Sequence, residues 1–467
     1  LISRLIGVYL KKLVHRVIYL LNDYFLKLGV KVPEVLLPNS EVDLYKWAVV
    51  ACDQYTSEPD YWREVARLVG EAPSTLNLVF PEVYLGKGSE TERINRIHQN
   101  MIQYLKDEIL HSCGAGFIYL ERRTSHAPCR KGLIMAFDLE CYDYYSGSKS
   151  LIRATEGTVL ERLPPRVKIR EGALLEMPHI MILIDDPDCR VIEPLALQTG
   201  DFKCLYETGL MMNGGYIRGF LVREEAVLEK IHQGLADLAE PNRFNQKYGV
   251  HDEPVFLFAV GDGNHSLATA KAVWEKIKAK PGIDPINHPA RYALAEVVNI
   301  HDPGLQFEPI HRLLFNVTSG ELFEAMKSFF GAEQFALESF ANRQAMDERL
   351  KNAYKDKSRR RIGFVNEEGY GVLTITDPQF DLEVDALQSF LDKWLSEHSE
   401  TEIDYIHGAE AVQKIGSQHG NIGFFLPALA KNLLFKTVIR DGALPRKSFS
   451  MGEAEEKRFY LECRRIR

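Results

Sequence analysis

The sequence predicts a mixed α/β (α+β) fold, and three observations lead there. Short apolar runs bounded by turn residues recur along the chain and read as buried strands. Between them lie stretches whose apolar residues repeat at helical spacing. At one point a strand, a glycine-rich turn and a helix follow one another directly: Val255–Val260, Gly261–Ser266 and Leu267–Trp274.

The first segment, Leu1–Leu28, is apolar and basic. Leu5, Val8, Leu13, Val17, Leu20, Leu21 and Leu28 suit an amphipathic helix packed on this chain or another. Lys11, Lys12, His15 and Arg16 interrupt it too often for a membrane span, and no small-residue cleavage site follows. A non-native extension or a membrane-surface helix are the alternatives. Lys46–Ala51 reads as a buried strand that delivers Cys52-Asp53-Gln54-Tyr55 to its end, with a helix from about Tyr61. Thr91–Leu110 reads as a helix with Ile94, Ile97, Met101, Tyr104 and Leu105 on one face. From Ala115 to Ile184 the pattern is mostly strand-like. Asn213-Gly214-Gly215 is a turn, and a helix follows from Glu224 to about Leu238. The polar stretch Glu240–Glu253 is the expected boundary between an N-terminal region, 31–240, and a C-terminal region, 250–467, with 1–30 as an extension. Beyond the glycine turn, Ser319–Arg349 reads as largely helical, Arg361–Thr376 as a hairpin, and Leu387–His398 as an amphipathic helix. Lys457–Arg467 reads as a basic helix face.

The composition is that of a folded protein: 45% hydrophobic, 10% aromatic and 26% charged. A net charge of -8 gives no electrostatic reason to expect nucleic acid as a partner. Seven scattered cysteines fit reduced thiols in a cytoplasm better than a disulfide framework.

The chemistry concentrates at Gly261-Asp262-Gly263-Asn264-His265-Ser266. Two glycines let the backbone turn tightly and approach a ligand. The following helix presents unpaired N–H groups and the positive end of its dipole, a ready anion site. Asp262 suits a metal or a hydroxyl, and His265 a phosphate or a proton. Equally, Asn264 or Ser266 could simply cap the helix. His311-Arg312, in a strand-like run, reads either as a site pair or as a structural ion pair with Glu308. Arg446-Lys447-Ser448 reads as a phosphate clamp or as a solvated basic turn. His111, Cys113, His126 and Cys129 offer zinc ligands in no standard order. Gly86-Lys87-Gly88-Ser89 lacks the earlier glycine of a phosphate loop.

Several of these motifs, in this order, resemble the domain of unknown function 1015 (DUF1015) family: KWAVVACDQY at Lys46–Tyr55, Arg153–Arg162, GDGNHS, NIHDPGLQFEPIHR at Asn299–Arg312, and LPRKSFSMGEA at Leu444–Ala454. The Asp-Gly-x-His turn is similar to the signature of the ParB/sulfiredoxin superfamily, which includes free-serine kinases. That likeness implies a ParB/sulfiredoxin-like core with phosphate held at the helix start. Many relatives carry Arg where Ser266 stands, which puts one phosphate contact in doubt; Arg312, Arg446 or Lys447 could supply the charge. Asn264 stands where sulfiredoxin chemistry needs Cys.

The resemblance implies a small-molecule phosphotransferase of serine metabolism, using ATP, ADP or pyrophosphate with Mg²⁺ and acting on free L-serine. In that reading Gly261, Gly263, Asn264 and Ser266 cradle the phosphates, aided by Arg312, Arg446, Lys447 and Ser448. Asp262 helps hold Mg²⁺ and His265 touches a phosphate oxygen. Asp53 is the expected general base, with Glu58 second. Arg153, Glu156 and His311 orient the acceptor. The expected partner is a small molecule, without nucleic acid or membrane, and a homodimer is left open. A non-catalytic nucleotide- or phosphometabolite-binding regulator and a phosphate-ester hydrolase are the competing readings.

Overall fold

The computed structural model describes residues 22–145, 147–353, 358–376 and 380–467. Most of the expected amphipathic N-terminal helix lies outside them. The chain divides into two compact units. The first is Leu1–Gln306 with Phe435–Ala443 and Met451–Arg467; the second is Phe307–Leu434 with Leu444–Ser450. The division therefore falls at Gln306 and Phe307, whereas the expected boundary at Glu240–Glu253 lies inside the first unit and contains the helix Pro241–Tyr248.

The first unit is built on a mixed sheet. Its path uses β1 (Phe117–Arg123), β2 (Arg130–Asp138), β3 (Tyr142–Asp143), β4 (Ile152–Ala154), β5 (Met181–Ile184), β6 (Lys203–Leu210), β7 (Gly215–Val222), β8 (Phe258–Asp262) and β9 (Tyr292–Asn299). The spatial order is β6-β7-β1-β2-β9-β5-β8-β4-β3. Antiparallel pairs dominate one half, while β9–β5, β8–β4 and β3–β4 are parallel. Both faces are covered. Phe117, Tyr119, Leu133, Met135 and Phe137 enter one core cluster, and the alternate residues Ile118, Leu120, Ile134 and Ala136 enter another. That is why the strands read as continuous apolar runs.

The second unit is an antiparallel sheet of β10 (Phe307–Phe315), β11 (Phe335–Phe340), β12 (Arg360–Asn366), β13 (Gly369–Ile375), β14 (Glu402–His407) and β15 (Asn421–Phe425), in the order β11-β13-β12-β15-β10-β14. Glu383–Glu397 is among its helices.

Four expectations differ from the structure. Lys46–Ala51 is not a strand: its first two residues close a short helix, Leu44–Trp47, where the Asp43 carboxylate accepts the Tyr45 N–H and Trp47 Nε1 donates to Leu461 O. Only Val50 keeps a β-bridge, to Phe459. Leu163–Glu171, inside the strand-like region, is a helix begun by prolines in its first turn, where the missing N–H costs nothing. Ser319–Arg349 is not one helical run: β11 separates helices Ser319–Phe330 and Arg343–Ala353 and pairs with β13. Lys457–Arg467 is not a solvated helix face. It is an extended, largely buried segment, and Arg458 and Arg464 meet interior carboxylates, while Arg465 and Arg467 are exposed. Arg458 bonds Glu296 at 2.7 Å, contacts Glu462, and donates to Pro178 O at 2.9 Å. Arg464 bonds Glu176 at 2.7 Å.

Candidate functional site

The glycine turn ends β8, which lies between β5 and β4. Gly263 is in the left-handed region, φ 77°, ψ 27°, as N-cap of the helix α1 (Asn264–Lys278). A Cβ there would lie 3.0 Å from Ile180 Cα. One at Gly261 would meet Leu183 and Met451 at 2.8 and 2.9 Å. Gly263→Ala therefore carries a left-handed backbone penalty of about 1–2 kcal/mol, with the Ile180 contact on top. A lowered thermal midpoint checks this; an unchanged one contradicts the backbone argument.

No side-chain bond from the N-cap closes this helix. Neither expected cap acts as one. Asn264 Oδ1 is buried without a hydrogen-bond partner, and Ser266 Oγ bonds His179 Nε2 at 2.7 Å. The first-turn N–H groups thus keep the character of an anion site. Asp262 accepts the Gly263 N–H at 2.9 Å and faces Lys457 Nζ at 3.2 Å. His265 Nε2 accepts the Val159 N–H at 3.3 Å, which fixes its ring against the segment after β4.

Around His179 a polar cluster assembles. Its Nδ1 is 2.7 Å from Tyr460 Oη, which accepts the Cys52 N–H at 3.1 Å. Its Nε2 is 3.8 Å from Asp53 Oδ2. Burial works to raise the Asp53 carboxyl, but His179, the Gln54 amide and Lys457 outweigh it and hold it below the usual range. The Cys52 thiol is pushed up, chiefly by burial, and stays protonated. Cys52, His179, Ser266 and Tyr460 line one cavity of about 140 Å³, with Leu78, Phe80, Met101 and Leu294 among its apolar walls. Ion pairs Glu82–Arg166 and Arg170–Glu176, each 2.5 Å, also border it. Burial is the main influence raising Glu82.

The structure thus brings together Asp53, Gly261, Asp262, Gly263, Asn264, His265 and Ser266. Glu58 is exposed at the N-cap position of the helix Pro59–Val69 and makes no capping bond. Arg153 is turned inward. It donates to Ser150 O and Pro254 O at 2.7 and 2.8 Å, and stacks over Phe256, so it braces the strand rather than reaching a substrate. Glu156 lies just past β4.

Arg312, His311, Arg446, Lys447 and Ser448 belong to the second unit. Arg312 is fully buried and spends its donors on Gln388 Oε1, Ile310 O, Lys447 O and Arg446 O, at 2.7 to 3.1 Å. It is a brace for the LPRKS turn, not an open phosphate ligand. Arg446 pairs at the surface with Asp392, and Ser448 bonds Pro445 O. Lys447 sits at φ 58°. His311 Nδ1 accepts the Leu426 N–H, and burial, then Arg312, pull it down to about 4. It is a neutral structural imidazole at pH 7.

Sequence reasoning missed His179, Lys457 and Tyr460. His179 opens an apolar run that was read only as strand, and the other two sit in the segment read as a basic helix face.

Among the described residues, no group of three or more His, Cys, Asp or Glu could hold a metal ion. His111, Cys113, His126 and Cys129 are thus not drawn together as a zinc site. No described helix is long and apolar enough to cross a membrane.

A family model described as "Protein of unknown function (DUF1015)" matches residues 35–394. No curated protein matches the chain. Similar solved structures include a free serine kinase variant in complex with AMP, 11% identical, with a TM-score of 0.38, covering 73% of this chain and 93% of that one. A conserved hypothetical protein from Pyrococcus furiosus is 12% identical, with a TM-score of 0.33 and coverages of 70% and 90%. SbnI with a C-terminal truncation, from Staphylococcus aureus, is 8% identical, with a TM-score of 0.33 and coverages of 68% and 82%. What the site does must therefore be argued from its own residues.

Proposed function

We propose, from the premise that the chain belongs to the DUF1015 family, that it is a small-molecule phosphotransferase. One observation carries the reading. The α1 start has no side-chain cap and opens beside Lys457, and Ser266 of its first turn lines a cavity together with His179. Phosphoryl transfer needs mainly positioning and charge neutralisation. First-turn N–H groups and the Lys457 ammonium neutralise the phosphates, the latter in the role expected of Arg312. The cavity holds a small hydroxylated acceptor. Asp53, ionised beside His179, takes the acceptor proton. The cavity is small, and its walls carry charged as well as apolar side chains, which suits a small charged acceptor.

The finer assignment is phosphoryl transfer from ATP, ADP or pyrophosphate to free L-serine. The protein acts in the cytoplasm and a homodimer is compatible with this role. Mg²⁺ fits only as an ion carried in by its phosphates, with Asp262 as a carboxylate ligand, since the described residues form no cage of their own. Held there, it would supply charge neutralisation for the phosphates.

The test is product detection. The full chain is incubated with Mg²⁺, each donor in turn, and L-serine within a pool of hydroxylated metabolites, and new phosphorylated species are sought by mass spectrometry. O-phosphoserine is the expected product, absent with Asp262→Asn. Orthophosphate alone would replace this reading with a phosphate-ester hydrolase. Thermal stabilisation by nucleotide without any product would replace it with a binding regulator.

A further inference from the structure

We infer that Ser266 is a covalent phosphoryl carrier: its hydroxyl receives the phosphoryl group from the donor and then passes it to the acceptor. The inference rests on the phosphotransferase reading and adds an intermediate to it.

A serine becomes a nucleophile when a base stands within hydrogen-bond reach and a third group orients that base. Ser266 Oγ is 2.7 Å from His179 Nε2. On the far side of the ring, Nδ1 is 2.7 Å from Tyr460 Oη, itself anchored by the Cys52 N–H. The Asp53 carboxylate, 3.8 Å from Nε2, stabilises an imidazolium. Ser266 stands in the first turn of α1, where N–H groups and Lys457 favour an incoming phosphate. Ser266, His179 and Tyr460 also line the cavity assigned to the acceptor, so the same oxygen faces both reactants.

The steps balance. Ser266 Oγ attacks the terminal phosphorus of a nucleoside polyphosphate or pyrophosphate. The Oγ–P bond forms, the P–O bond to the leaving phosphate breaks, and the hydroxyl proton passes to His179 Nε2. The acceptor oxygen then attacks the phosphoserine. Its proton goes to Asp53, the Oγ–P bond breaks, and His179 returns its proton to Oγ.

Three readouts test this on the full chain. ATP, ADP and pyrophosphate, each labelled in the terminal phosphoryl group, are supplied without acceptor. Acid-stable label on Ser266, chased into product when acceptor is added, is expected from at least one donor. Donors made chiral at phosphorus should give net retention, because two in-line displacements occur. Ser266→Ala should lose label and product together, and His179→Gln should slow labelling on the order of 100-fold. The stereochemical readout uses the unaltered chain, so it stands whether or not a variant folds. Product formed with inversion and no protein label, or full turnover by Ser266→Ala, overturns the carrier while leaving the phosphotransferase intact. Label on another residue also overturns it. Absence of both product and label from every donor defeats the phosphotransferase reading itself.

Discussion

Asp262→Asn should leave the chain folded and remove phosphoryl transfer. The Asp262 carboxylate has two duties. One oxygen accepts the Gly263 N–H, and an amide oxygen can keep that bond. The other faces Lys457 Nζ at 3.2 Å, and an amide NH₂ there would set donor against donor and delete the charge. Lys457 would lose its anchor, and a phosphate-borne Mg²⁺ would lose its carboxylate. A loss of about 10²–10³ in kcat is expected, the scale seen when one charge-stabilising group leaves an active site. Lys457 is buried, so the thermal midpoint should also fall somewhat while the chain stays folded. An Asp262→Asn protein that turns over like the parent would sink the assignment of this turn.

Arg458→Met should destabilise the first unit by about 3–5 kcal/mol, the cost of stranding buried charge. Arg458 is 2% exposed and meets Glu296 and Glu462, 1% and 0% exposed. Methionine fills the volume but leaves both carboxylates short of a partner; Arg130 lies 3.4 Å from Glu296, and Tyr206 donates to Glu462. Denaturant unfolding would measure the loss. A double variant with Glu296→Gln should recover part of it, because a neutral amide is cheaper to bury. A change under about 1 kcal/mol would show that the network is not what holds the segment. Arg458 also bonds Pro178 O, next to His179, so the variant should slow catalysis as well.

Much of the site was legible because local sequence dictated it. Gly263 must take a left-handed conformation for β8 to turn into α1, and that requirement is visible as a glycine between a strand and a helix. Asp53 follows the Val50 bridge at the end of the apolar run, where the sequence placed it, although Lys46 and Trp47 of that run are helical. What stayed hidden is long-range. Lys457 and Asp262, or Tyr460 and His179, are far apart in sequence, and no periodicity links them. Charge misled in the same way. A segment with Lys457, Arg458, Arg464, Arg465 and Arg467 reads as solvated until Glu176, Glu296 and Glu462 are seen to meet it inside. Arg312 was likewise read as a reagent, when its donors are satisfied by backbone carbonyls and the Gln388 side-chain oxygen.

The buried segment also sets an order of assembly. Trp47 bonds Leu461, and Arg122 bonds the carbonyls of Glu455 and Lys457. The second unit draws most of its residues from one stretch, Phe307–Leu434, which is synthesised before residue 455. It can gather its β-hairpin during synthesis, while the first unit waits for partners several hundred residues downstream. Contacts of such separation close slowly. The first unit is therefore the late step in biogenesis, with an exposed sheet face until its last strap arrives, and it is the part of the newborn chain that chaperones would shield.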